Sequence, residues 1–150
     1  LSSTVPIFSV ILNMDKMQII YPAFALIILT LFAYVKLRLM LNKYIASGEL
    51  RFNQIKTYSG NLPEEFEQSR QHLKNLFELP VLFYLLIAIL FSSNHLDLID
   101  IILAWMFVAT RYIHSYIRFK TNHVPHRAIF FVLGLLILIV SWTKIIIMGL

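Results

Sequence analysis

Residues 128–148 form an almost unbroken apolar run, interrupted only by Ser141, Thr143 and Lys144 near its end. About 20 mostly apolar residues are enough for a helix to cross the hydrocarbon core of a bilayer. Three further runs approach that length. Residues 19–35 carry no charge, and Lys36 and Arg38 close the run at a headgroup level. Residues 79–91 are short, but an amphipathic stretch from about Glu64 leads into them, which predicts one long helix emerging from the interface. Residues 99–117 are long enough, although they hold Asp100, Arg111 and His114. No strand-period alternation punctuated by turns is present, which argues against a membrane barrel. The expected fold is therefore all-α, an integral membrane four-helix bundle.

Composition agrees with a lipid solvent. Hydrophobic residues make up 59% of the chain and charged ones 14%, against about 45–50% and 25% in soluble domains. There is no cysteine, so any thiol chemistry would use a thiol carried by a substrate. The net charge of +5 is scattered among apolar runs, without the clustered basic face that nucleic acid requires. Lys36, Arg38, Lys43, Arg51, Lys56, Arg70 and Lys74 lie between the first two spans, and Arg118, Lys120 and Arg127 between the last two. Lys16 and Lys144 fall on the opposite side with Asp97 and Asp100. Basic loops stay cytoplasmic, so both termini are expected to face away from the cytoplasm. Residues 1–16 read as an N-terminal extension to a membrane domain over residues 17–150. The apolar stretch 5–12 is too short to span and lacks a preceding basic region, and the expected natural start is Met14 or Met17.

Helix-end chemistry marks the connections. Asn61-Leu62-Pro63-Glu64 supplies a cap, an early proline and an acid, and Glu64, Glu65 and Glu67 favour the positive end of the helix dipole. Asn94 or Asp97 can start the third helix, and residues 122–125 the fourth. Residues 42–60 read as the sizeable polar loop.

Ionisable residues inside membrane helices are costly and usually functional. Gln71, Asn75 and Glu78 share one face of the second helix, and Arg111, His114 and Arg118 share one face of the third. Arg127 opens the fourth, directly after Pro125 and His126. These residues predict a polar pocket near the cytoplasmic end. Plainer roles compete with that reading. Glu78 and Arg111 could pair only with each other, and Lys74, Arg118 and Lys120 could reach out to lipid phosphates. His72, His123 and His126 read as interfacial polar residues, and no metal-ligand set stands out. Pro80 removes the hydrogen bond to the Leu76 carbonyl and is expected to kink the second helix beside Glu78.

The run Arg70-Gln71-His72-Leu73-Lys74-Asn75-Leu76-Phe77-Glu78-Leu79-Pro80, with Arg111-Tyr112-Ile113-His114 and Val124-Pro125-His126-Arg127, resembles the membrane-associated proteins in eicosanoid and glutathione metabolism, the MAPEG family. The resemblance covers roughly residues 17–148 and is to a bacterial-type member, which implies the bacterial inner membrane. It further implies a homotrimer that binds glutathione between neighbouring subunits. Matched residue by residue, Arg70, Asn75, Glu78, Arg111 and His114 would contact glutathione, and Arg127 would stabilise its thiolate. The implied activity is a glutathione-dependent transferase or peroxidase acting on lipophilic electrophiles. Two departures stand out. Gln71 occupies the usual place of the second helix's arginine, one residue after Arg70, and Arg118 replaces a tyrosine often found one turn beyond the third helix's polar residue. The alternative is a non-catalytic member that binds a lipid, an anionic metabolite or a partner protein. A proton-coupled transporter centred on Glu78 is disfavoured by the neighbouring asparagine and arginines, and a haem protein using His72 and His114 is weaker still.

Overall fold

The computed structural model describes residues 16–58, 60–93 and 96–148, apart from the side chain of Met148. The expected extension therefore lies outside the described residues except for Lys16, which opens a 3-10 turn, Lys16–Ile19. Five α-helices follow: α1 Ile20–Ala46, α2 Phe52–Thr57, α3 Glu64–Ser92, α4 Leu98–Lys120 and α5 Val124–Met148. Together with the 3-10 turn, α1, α3, α4 and α5 supply four segments long and apolar enough to cross a bilayer. The chain is an integral membrane protein.

The helix ends follow local chemistry. Lys36 and Arg38 close the apolar run but not the helix, because Lys, Arg, Leu and Met are all good helix formers. α1 accordingly continues to Ala46, and left-handed Gly48 (φ +77°) follows its end. The polar loop expected over residues 42–60 is thus shorter, and it contains α2, whose start is capped by Arg51 N–H donating to Gln54 Oε1 at 2.9 Å. α3 begins at Glu64 as expected and runs unbroken through Pro80. Asp97 caps α4 in a reciprocal box: its Oδ1 accepts from Asp100 N–H, and Asp100 Oδ2 accepts from Asp97 N–H, both at 3.1 Å. Asn94, the other candidate for that start, lies outside the described residues. α5 starts at Val124 with Pro125 in its first turn, where the missing N–H costs nothing.

The described residues divide into two compact units, one comprising those before Ile27 and from Pro80 onward, the other Ile27–Leu79. In the first unit α4 packs along α5, and Phe83 stacks on Phe107 with centroids 4.6 Å apart. Tyr112 Oη donates to the Ala25 carbonyl at 2.7 Å. In the second, Tyr44 meets Phe66 edge to face at 6.5 Å, and Leu50 and Phe66 are buried.

Burial is inverted relative to a soluble protein. Ile28, Leu31, Phe32 and Leu39 of α1 and Ile146 and Ile147 of α5 are exposed, whereas Asp100, Arg111, His114 and Arg118 of α4 are buried. Hydrocarbon solvates the apolar faces and leaves charged groups to seek partners inside the protein.

Candidate functional site

The first unit holds Arg111, His114 and Arg127. Arg111 is 2% exposed. Its Nη2 donates to the carbonyls of Phe130 and Phe131 at 3.0 and 3.1 Å, and its guanidinium lies 5.3 Å from the Phe107 ring centroid and 5.2 Å from that of Phe131. His114, one turn on, is also buried, with its ring 6.3 Å from that of Phe131. These two residues therefore share one aromatic neighbour on α5. Arg127 is half-buried, one turn before the Phe130 and Phe131 carbonyls, and its Nη1 donates to Asn122 Oδ1 at 2.7 Å. Asn122 presents that oxygen from a left-handed conformation (φ +48°), which asparagine tolerates better than most residues. Ser115 Oγ and Arg111 Nε are buried and find no hydrogen-bond partner among the described residues.

The second unit holds Arg70, Asn75 and Glu78. Arg70 forms a bidentate pair with Glu67, Nε–Oε2 at 2.9 Å and Nη2–Oε1 at 2.8 Å, and lies 4.5 Å from the Tyr58 ring centroid. With Asn61 and Leu62 these three side chains line a cleft of about 380 Å³. Gln71, at the position where the family's arginine is expected, donates to the same Glu67 at 3.2 Å. Asn75 is half-buried and Glu78 exposed, one turn apart. Glu78 meets Lys74 at 3.6 Å, with side chains 56% and 74% exposed. Among the described residues no three His, Asp or Glu side chains gather as metal ligands would.

The spacing of these groups along four membrane helices agrees with the comparison to known families. The MAPEG family profile matches residues 19–147. The chain belongs to the MAPEG family. No curated protein and no solved structure matches this MAPEG chain.

Three features of this MAPEG protein go beyond the sequence reading. The partners of Arg111 are backbone carbonyls, which carry no residue signature. The sequence trace is Gly134, where an added Cβ would collide with Arg111 Nη2 and stand 2.7 Å from Thr110 Oγ1. The second is a cluster at the other end of α4, where Lys144 Nζ lies 2.8 Å from Asp97 Oδ1 and 2.6 Å from Asp100 Oδ1. The placement of all three on one side of the bilayer hints at this pairing. The third is the Arg70–Glu67 pair, legible as an i,i+3 spacing on a helix.

Proposed function

We propose that this MAPEG protein is a glutathione-dependent transferase or peroxidase whose lipophilic electrophiles reach it through the bilayer. The observation that carries this reading is the state of Asn75 and Glu78. They sit one turn apart on α3, half-buried and exposed, and apart from the long Lys74 contact of Glu78 their side chains have no hydrogen bond or ion pair among the described residues. Polar groups not used by the fold are available to a ligand, and Glu78 suits the amine of glutathione while Asn75 suits its peptide groups. Arg127 donates through Nη1 to Asn122, which leaves other guanidinium donors for a thiolate. A guanidinium beside a thiol lowers its pKa, and the thiolate is the attacking species. In transfer, sulfur bonds to the electrophilic carbon while the leaving group departs and the thiol proton passes to solvent. In peroxide reduction, two glutathiones become one disulfide as the hydroperoxide becomes alcohol and water.

The site is proposed to lie near the cytoplasmic side of an inner membrane, with both termini on the far side, as the distribution of basic loops supports. A homotrimer is proposed to complete it, with Arg70, Arg111 and His114 as further members of the site. Arg127→Ala is expected to lower conjugation of a model electrophile by roughly 10²–10³-fold, the usual cost of losing one donor to a developing anion. Unchanged turnover in both Arg127→Ala and Glu78→Ala would sink the assignment.

One observation favours a second reading. Arg70 and Arg111 are already occupied by Glu67 and by the α5 carbonyls. A non-catalytic member that binds a lipid, an anionic metabolite or a partner protein would need no spare arginine at those positions. Purified protein without a thermal shift in millimolar glutathione would favour it.

A further inference from the structure

Gly134 stands in the middle of α5, where a glycine is less favourable than an alanine because it gives up more backbone freedom on folding. Its place calls for a packing reason, and Arg111 supplies one. A Cβ at residue 134 would overlap Arg111 Nη2, reach 3.0 Å from Arg111 Cζ and 2.7 Å from Thr110 Oγ1. The absent side chain is the notch that admits the guanidinium to the α5 backbone. There Nη2 meets the carbonyls of Phe130 and Phe131. In a regular helix those oxygens already accept from Gly134 and Leu135 N–H, and each has a second lone pair to offer. The faces of Phe107 and Phe131 supply the remaining favourable surroundings for the cation. At 2% exposure, the guanidinium is committed to its own chain.

Phe130 and Phe131 are three and four residues beyond Arg127, so the N–H of Phe131 closes the helical turn onto the Arg127 carbonyl. Arg127 is thus held from two directions, by its side-chain bond to Asn122 and by the turn that Arg111 grips. We infer that Arg111 is a positioning residue rather than a ligand contact: seated in the Gly134 notch, it sets the rotation of the α5 turn that presents Arg127. The seating stands on the structure alone, and the positioning consequence rests on the proposed role of Arg127 toward glutathione.

The test uses Gly134→Ala, which keeps every charge and hydrogen-bonding group but fills the notch. In detergent-solubilised protein, Gly134→Ala is expected to lower the thermal midpoint more in the native background than in Arg111→Ala, where the guanidinium is gone and, of the three nearest atoms, Thr110 Oγ1 alone remains. Arg111→Lys serves as the second background should Arg111→Ala fail to fold. Equal drops in all backgrounds would overturn the seating, whatever the activity. The second readout is the pH profile of kcat/KM for conjugation. Gly134→Ala and Arg111→Ala are each expected to move the thiol-ionisation limb to higher pH, in the same direction as Arg127→Ala and by less. A coupled thermal effect with an unmoved limb would overturn the positioning role and leave a structural seat. Native protein that neither binds nor turns over glutathione would overturn the proposed function, and the positioning role with it, while the thermal comparison would still decide the seating.

Discussion

Replacing Lys144 by methionine measures what charge contributes at the end of α4 and α5 remote from Arg127. The Asp100 side chain is 1% exposed, Lys144 15% and Asp97 39%. Removing the ammonium leaves the Asp100 carboxylate with one remaining donor among the described residues, the Asp97 N–H at 3.1 Å. An exposed ion pair contributes about 0–1 kcal/mol, whereas breaking a buried one costs about 3–5 kcal/mol. Near-complete burial of Asp100 places it in the second class, and the partial exposure of Asp97 keeps that residue's share small. The expected loss is therefore about 3–5 kcal/mol.

Reversible unfolding in mixed micelles is the assay, with Lys74→Met as its control. Lys74 pairs with Glu78 at 3.6 Å with both side chains largely exposed, so its loss should cost under about 1 kcal/mol. Adding Asp100→Asn to Lys144→Met should recover most of the stability, because the amide oxygen still accepts from Asp97 N–H and no charge is stranded. A Lys144→Met cost as small as that of the control, or a double variant less stable than the single, would refute the reasoning.

Other outcomes follow from the same geometry. Tyr112→Phe should cost about 0.5–1.5 kcal/mol, since Ala25 lies within α1 and its carbonyl keeps its helical partner; a much larger loss on thermal unfolding would contradict this. Burial works against ionisation of Asp97, but the Lys144 ammonium and the Asp100 N–H outweigh it and hold the carboxyl below its ordinary value. A depressed folded value means that its stabilisation is full above the unfolded pKa of about 3.9 and is lost as pH falls through the lower folded value. Acid unfolding curves of Asp97→Asn should lack that component of the slope. Glu78→Gln should weaken glutathione binding roughly 10- to 100-fold, the equivalent of one charge-assisted hydrogen bond; calorimetry showing an unchanged affinity would remove Glu78 from the site.

The spans were legible because bilayer thickness dictates length and hydrocarbon dictates composition. The cap at Asp97 was legible because an acid three residues later completes a box. Two things were not. The sequence marks where α1 leaves the hydrocarbon, at Lys36, but gives no sign of its end, since neither Lys36 nor Arg38 stops a helix; the stop comes at Ser47-Gly48. The partner of Arg111 was hidden for a different reason. Reading charges against charges offers Glu78 as a mate, whereas the guanidinium is met by carbonyl dipoles and ring faces, and every residue has a carbonyl. Only the cost of Gly134 inside a helix points there, and that requires knowing which α4 residue lies opposite.

The polar residues of α3 and α4 also differ in what they imply about the working unit. Asp100 and the Nη2 of Arg111 have close partners within the described residues, whereas Glu78 has the 3.6 Å Lys74 contact. α3 ends at Ser92, and non-helical backbone is not tolerated in lipid-exposed hydrocarbon, so the core extends no further than that end. The roughly 14 residues from Glu78 to Ser92 rise only about 21 Å at 1.5 Å each, against a hydrocarbon thickness of about 30 Å. Counting back about 20 residues from Ser92 places the near edge of the core around His72, and any tilt moves it a residue or two further from Glu78. Asn75 and Glu78 thus fall inside or at the margin of the hydrocarbon zone. A carboxylate facing lipid costs about 2.5–3.5 kcal/mol at the bilayer centre and less towards its edge, and the 3.6 Å contact with an even more exposed Lys74 offsets little of it. The proposed neighbouring subunit and the amine of the proposed bound tripeptide would together cover that face, and this is why the proposed assembly and the proposed ligand are tested by the same residue.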